Sequence, residues 1–191
     1  SEFVRTGWDV KKFVKLLVTS RTYRQESRVT PQLLELDPEN KLLAHQNRRR
    51  FDFEAMRDSL LAASGKLDPA VGGRPVDLFK PPFTTRRSVY GFIDRQDLPG
   101  TFRIFDFASP DVSTPMRPQT TVPQQSLFAM NSPFVLEQAR TIAARPDIAG
   151  TPDAGARIQA LYHLIYARAA DADELAVGTA FLQAPQSGER Q

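Results

Sequence analysis

The residues that could do chemistry are concentrated between Arg86 and Val135. This block contains five Arg, four Asp and six Pro, but no Lys and no Glu. Arg and Asp suit rigid, bidentate pairing because the guanidinium is planar and the Asp side chain has few rotatable bonds. The composition therefore indicates a rigid polar centre, whose groups could cross-link the chain or bind a ligand.

Three uses of these residues are open. An Arg–Asp network could fix the chain, a cleft could bind a sulfated, carboxylated or hydroxylated ligand, or two carboxyl groups could act as general acid and base. We favour the network, which predicts mutual pairing and low accessibility for Arg86, Arg95, Asp106, Asp111 and Arg117. We assign no catalytic residue. The binding candidates are Arg86, Arg87, Asp94, Arg95, Arg103, Asp106, Asp111, Arg117, Gln119 and Gln125.

Composition argues against several kinds of site. The chain has no Cys, so disulfides, thiolate metal sites, cysteine nucleophiles and covalent haem attachment through a Cys-x-x-Cys-His motif do not arise. Neither of its two His, His45 and His163, has a carboxylate at the sequence spacing of a metal-binding motif, so we predict no metal site. No Gly-x-Ser-x-Gly motif is present. The interpretation leans towards a chain without catalytic activity.

The charge balance gives weak support for nucleic acid as a partner. The net charge is only +3, and acidic residues are interspersed among the basic ones. Arg48–Arg50 could bind an anion or pair with acidic residues of the helix that follows. We consider nucleic-acid binding the least favoured function, and no apolar run is long enough to span a bilayer.

Helical spacing predicts the elements before the block. Asp9 and Asp52 are expected to cap two helices, and Gly65 to end the second. Thr30-Pro31 begins a short helix that Asp37-Pro38 ends. The predicted inner face of the helix after Asp9 consists of Val10, Phe13, Val14 and Leu17. That of the helix after Asp52 consists of Phe53, Met56, Leu60 and Leu61.

Within and after the block, Arg86–Arg95 is predicted as a helix with Val89, Tyr90 and Ile93 inward. Residues 101–107 favour helix over strand, and 108–122 form a long, proline-stiffened loop. Thr121-x-x-Gln124 and Ser132-Pro133 are expected to start two helices that meet at a corner. The later inner faces are predicted as Val135, Ala139 and Ile142, then Ile158, Leu161, Tyr162 and Ile165, then Leu175, Val177, Phe181 and Leu182 after an Asp171-x-x-Glu174 capping box.

These patterns predict an all-α, irregular domain of about eight helices with long Pro-rich loops. We expect one helical domain over 1–191, divided into N-terminal helices (1–65), a Pro/Gly-rich connection (66–85), the central block (86–135) and C-terminal helices (136–191). The polar tail 185–191 is expected to fray. Apolar residues at the very start suggest a fragment of a larger protein.

Four stretches carry a family resemblance: WDVKKFVKLLVTSRTYR (8–24), RRFDFEAMRDSLLAASG (49–65), RRSVYGFIDRQDLP (86–99) and FDFASPDVSTPMRPQTTVPQQSLFAMNSPFV (105–135). They resemble the C-terminal domain of unknown function in planctomycete cytochrome-c-domain proteins. The resemblance implies a large, exported, multi-domain protein in the periplasm or at the cell surface, with haem in a separate upstream domain and no cofactor in this chain.

The expected function is therefore a non-catalytic structural or interaction module of such a protein, whose partners are other domains of the same polypeptide. A binding or hydrolytic module for a polysaccharide, possibly sulfated, is the main alternative. It would use the same Arg, Asp and Gln residues of the central block.

Overall fold

The computed structural model describes residues 1–184 and confirms an all-α fold. It contains ten α-helices and one short 3-10 turn, with no strand among the residues described. The chain divides into two compact units, Ser1–Arg50 and Phe51–Gln191. The tail that was expected to fray, residues 185–191, lies outside the described residues.

The first unit contains helices α1 (Glu2–Arg5), α2 (Val10–Val18) and α3 (Pro31–Leu36). The predicted caps are confirmed: Asp9 accepts a hydrogen bond from the Lys12 amide, and Thr30 accepts one from the Leu33 amide. The predicted inner face of α2 is wrong, because its apolar side chains are exposed. The exposed fractions are Val10 62%, Phe13 37%, Val14 49% and Leu17 49%.

The second unit begins with α4 (Phe53–Ala63), which Gly65 ends in the left-handed conformation at a φ of 74°. Only glycine adopts this conformation without strain, as the sequence predicted. Phe53 is buried with Leu78, Leu98, Phe102 and Phe105 in an aromatic-rich core. Phe102 belongs to α5 (Gly100–Ile104), which confirms helix rather than strand there.

The prediction of a helix over Arg86–Arg95 is wrong. A 3-10 turn spans only Ser88–Tyr90, and Val89 is 67% exposed rather than inward. The chain then extends alongside Val76, whose amide donates to the Tyr90 carbonyl and whose carbonyl accepts from the Phe92 amide. These tertiary hydrogen bonds replace those that a helix would have supplied.

The remaining helices are α6 (Pro123–Asn131), α7 (Pro133–Ala143), α8 (Pro146–Ala149), α9 (Ala154–Tyr166) and α10 (Ala172–Gln183). Ser132 ends α6 and caps α7, which gives the predicted corner. The N-cap residue of α6 is Val122, one residue after the predicted N-cap Thr121. The capping box at Asp171 and Glu174 is confirmed, with hydrogen bonds of 2.9 and 3.0 Å.

The inner faces of the last helices differ in part from the prediction. Helix α7 buries Phe134, Gln138 and Ile142, which lie four residues apart, while Ala139 is exposed. In the helices that follow, Ile158 is buried as expected. Other residues that were expected to face inward are exposed, namely Ile165, Val177, Phe181 and Leu182.

Candidate functional site

The Arg/Asp/Pro block is attached to α4 by charged side chains of that helix. Glu54, Arg57 and Asp58 lie three and four residues apart, so they project from neighbouring positions on the helix surface. Arg57 and Asp58 bind the segment 84–88, and Glu54 binds Arg117 in the long loop. Helix α4 therefore positions both the start of the block and its loop.

Arg57 is the most deeply buried charged residue in the described part of the chain, at 1% exposure. Its Nη1 donates to the Arg86 carbonyl (3.0 Å) and to Ser88 Oγ (3.3 Å), and its Nη2 donates to the Thr84 carbonyl. The guanidinium lies over the Phe134 ring, 5.0 Å from its centroid. Burial lowers the pKa of Arg57, and the nearby Asp58 carboxylate opposes that shift.

Asp58 completes the attachment from the acceptor side. Its Oδ1 accepts hydrogen bonds from the Ser88 amide at 2.8 Å and from Ser88 Oγ at 2.7 Å. The same oxygen lies 3.7 Å from Arg57 Nη1. Arg57 and Asp58, which are adjacent on α4 and opposite in charge, thus bind the carbonyl, amide and hydroxyl groups of residues 84–88.

Arg117 fixes the long loop through a two-pronged contact with Glu54. The two nitrogen–oxygen distances are 3.0 and 2.9 Å, and Asp52 lies 3.7 Å away. The guanidinium also stacks 4.5 Å from the centroid of the Phe107 ring. The hydrogen bonds that Arg117 donates to Glu54 raise the pKa of Arg117, so this residue stays charged throughout the accessible pH range.

Most of the five residues that were predicted to pair with one another have other partners, so this prediction is wrong apart from one pair. Arg86 lies on the Tyr90 ring, donates to the Gly72 carbonyl and is 3.8 Å from Asp68, a residue before the block. Arg117 pairs with Glu54, also outside the block. Arg95 and Asp111 do pair with each other at 3.1 Å, but their side chains are 69% and 59% exposed.

The other candidates have mainly local roles. Asp106, in the left-handed conformation, accepts from the amide and the hydroxyl of Thr120 at 2.7 and 2.8 Å. Gln125 is buried and donates to the Ile104 carbonyl at 2.7 Å. Asp94 accepts from the Gln96 amide at 2.8 Å. The exposed candidates are Arg87, Arg103 and Gln119.

Sequence reasoning missed Arg57 and Gln138, although one signal could have identified both. Each lies midway between two buried apolar residues, Phe53 and Leu61 in α4 and Phe134 and Ile142 in α7, and therefore on the inner face. Gln138 is 1% exposed and accepts a hydrogen bond of 2.8 Å from Ser64 Oγ. A polar residue inside an apolar face indicates a buried polar contact between elements.

Arg57 also forms part of the wall of a cavity of about 500 Å³ in the second unit. Five phenylalanines contribute to the wall: Phe53, Phe79, Phe83, Phe128 and Phe134. Thr101, Asn131 and Ser132 add polar atoms, and Leu127, which is 55% exposed, lies at the edge. Phenylalanine rings and one buried cation thus line a cavity that is partly open to solvent.

Within residues 1–184, no three or more His, Asp or Glu side chains are grouped so that they could hold a metal ion. No helix in that range combines the length and the apolar character that crossing a membrane requires.

A comparison with protein-family models gives a match over residues 1–182. The matching family is PSD1, described as a protein of unknown function (DUF1553). Neither the curated proteins nor the solved structures contain a significant match to the chain. The match covers all but the last nine of 191 residues, and the chain therefore belongs to the DUF1553 family.

Proposed function

We propose that the chain is a non-catalytic interaction module of a larger exported protein, and that the apolar face of α2 binds another domain of the same polypeptide. The observation that carries the proposal is the exposure of every apolar side chain of α2, from 37% at Phe13 to 62% at Val10. A solvent-facing apolar surface of this kind marks an interaction site in a folded protein.

Helix α2 is strongly amphipathic. At about 100° per residue, its six apolar residues cover roughly 200° of the helix surface. Lys11, Lys12 and Lys15 share the remaining side. Within the first unit, Phe3 contacts Phe13, with ring centroids 5.0 Å apart, and also contacts Trp8 at 5.1 Å. The short α1 therefore supports one edge of the face and leaves the rest of it to a partner.

The contacts between the central block and α4 support a non-catalytic role. Arg57, Asp58, Arg117 and Glu54 are engaged with one another or with the backbone, and these contacts hold the chain in place. The family resemblance implies the cytochrome-bearing, exported context. In this proposal the haem belongs to an upstream domain, and the chain acts in the periplasm or at the cell surface.

The test compares this chain with the longer protein that contains it, using hydroxyl-radical footprinting read by mass spectrometry. We expect oxidation of Trp8, Phe13 and Leu17 to fall several-fold in the longer protein, because a domain covers α2. Met116, which is 81% exposed in the second unit, serves as the reference residue. Equal oxidation of α2 in both proteins would refute the proposal.

A pair of variants makes the test specific. Val14→Asp places a carboxylate in the α2 face, whereas Val71→Asp places one at an 87% exposed valine in the second unit. In the longer protein, Val14→Asp should restore oxidation of Leu17, and Val71→Asp should leave it low. If both variants behave alike, the α2 face is not the contact.

A further inference from the structure

Two lysines border the apolar face of α2 on the side away from α1. Lys11 lies three residues before Val14, and Lys15 lies three residues before Val18, the spacing at which side chains are neighbours on a helix surface. All four side chains are exposed. A protein surface that covers Val14 and Val18 therefore also meets two ammonium groups.

The charges of these two lysines are available to a partner. Within residues 1–184, neither Lys11 nor Lys15 forms an ion pair. Lys12 differs from them, because its Nζ lies 3.5 Å from Asp9. At about 100° per residue, Lys12 also projects roughly 160° away from Val14. The lysine that is already paired is thus the one that points away from the face.

The charge of the first unit favours an acidic partner in the same way. Residues 1–50 contain eleven Lys and Arg and six Asp and Glu, which gives a net charge of +5. Residues 51–191 contain fourteen basic and sixteen acidic residues, a net charge of −2. The unit that carries α2 is therefore the source of the excess positive charge, which attracts acidic surfaces and repels basic ones.

We infer that the domain that covers α2 presents an apolar patch bordered by Asp or Glu side chains, and that these carboxylates pair with Lys11 and Lys15. The inference rests on the proposed function, since it names the chemistry of that same partner. The apolar side chains of α2 occupy the centre of the contact and the lysines its rim, as in other protein interfaces. Charges at a rim contribute mainly to the choice and orientation of the partner.

The first experiment is carbodiimide cross-linking of the longer protein that contains this chain, with the products identified by mass spectrometry. This reagent joins an amine to a carboxylate only where the two groups are already in contact. We expect Lys11 or Lys15 to be cross-linked to an Asp or Glu of another domain. Lys41 is the reference, because its side chain is 74% exposed and its Nζ is 2.7 Å from Glu39. Lys41 should be cross-linked within this chain only.

Footprinting of the same longer protein separates failure of this inference from failure of the proposed function. If α2 is protected from oxidation but neither Lys11 nor Lys15 is cross-linked to another domain, the acidic border is refuted and the docking role of α2 stands. If α2 is not protected, the docking role and the acidic border are refuted together.

Matched variants on α2 test the charge directly through oxidation of Leu17 in the longer protein. Lys11→Gln removes a charge beside the apolar face, and the oxidation of Leu17 should rise about 1.5- to fivefold, the range for loss of one exposed ion pair. The rise should be largest at low salt, because salt screens exposed charges. Lys12→Gln removes a charge on the opposite side and should leave the oxidation unchanged. Equal oxidation of Leu17 in the two variants would overturn the inference.

The conservative variant Lys11→Arg keeps the positive charge. It should preserve the protection of Leu17 at the wild-type level, although the guanidinium cannot be cross-linked by carbodiimide. If Lys11→Arg exposes Leu17 as much as Lys11→Gln does, charge is not what the partner recognises, and the inference fails. Gln and Arg are both good helix formers, and far-UV circular dichroism checks that each variant is folded.

Discussion

Replacing Arg57 by methionine is the most informative perturbation of the fold. The change keeps a long, flexible side chain between Phe53 and Leu61 but removes three donated hydrogen bonds, to the carbonyls of Thr84 and Arg86 and to Ser88 Oγ. Asp58 is left without its cationic neighbour, and two backbone carbonyls lose their partner. The segment 84–88 should therefore be attached to α4 only through the hydrogen bonds between Ser88 and Asp58, and it should open more readily.

The expected loss of unfolding free energy follows from these contacts. Hydrogen bonds from a charged donor contribute about 1.5–3 kcal/mol each, while removal of the buried charge recovers part of its desolvation cost. Removing one partner from a buried polar cluster typically destabilises by about 3–5 kcal/mol, and we expect a loss in this range for Arg57→Met. Arg57→Lys should lose less because the charge is retained.

Urea unfolding followed by far-UV circular dichroism measures the global effect, and hydrogen exchange of peptides covering residues 84–91 measures the local one. Arg87→Met is the matched control, since Arg87 is a neighbouring arginine with an exposed side chain. It should change stability by less than about 0.5 kcal/mol. If Arg57→Met is as stable as this control and residues 84–91 exchange at the wild-type rate, Arg57 does not hold the segment.

Two further predictions concern packing and pH. Gly91→Ala should lower the free energy of unfolding in urea by about 1–3 kcal/mol, because a Cβ there would lie 2.5 Å from Cδ1 of the buried Leu78. Gly100→Ala is the control, since a Cβ at Gly100 would have no heavy atom within 4 Å. Equal stability of the two variants would contradict this packing. Hydrogen bonds from Arg168 and from the Asp171 backbone lower the pKa of Glu174 to about 2, below its unfolded value of about 4.3. The stabilisation that ionised Glu174 contributes to the fold is therefore present above about pH 4–5 and is lost as the pH falls towards about 2. In Glu174→Gln, the hydrogen-exchange protection of α10 should depend less on pH between about pH 2 and pH 5. A pH dependence equal to that of the wild type would contradict this role of Glu174.

Much of the fold could be predicted because its signals are local. Asp9, Thr30 and Asp171 cap helices through contacts with residues three positions ahead, and Gly65 ends α4 through its own backbone conformation. The proline after Ser132 likewise starts α7 as expected. These interactions involve neighbours in sequence, so residue type and spacing are sufficient to identify them.

The candidate site was only partly accessible in this way. The central block was singled out for its rigid polar residues, but Arg117 and Arg86 pair with Glu54 and Asp68, which lie outside it. Proximity in sequence favoured Asp106 and Asp111 as partners of the block's arginines. The actual partner of Arg117 lies 63 residues away, a separation at which spacing carries no information.

Local residue patterns predict that this protein is helical, where most of its helices begin and end, and which stretch carries its rigid polar residues. Long-range packing instead limits the helical part of Arg86–Arg95 to a 3-10 turn, buries Arg57 beside an aromatic cavity and leaves the apolar face of α2 exposed. The difference arises because caps and turns depend on a few adjacent residues. Burial and ion pairing depend on which distant surfaces meet, and helical periodicity alone does not specify that.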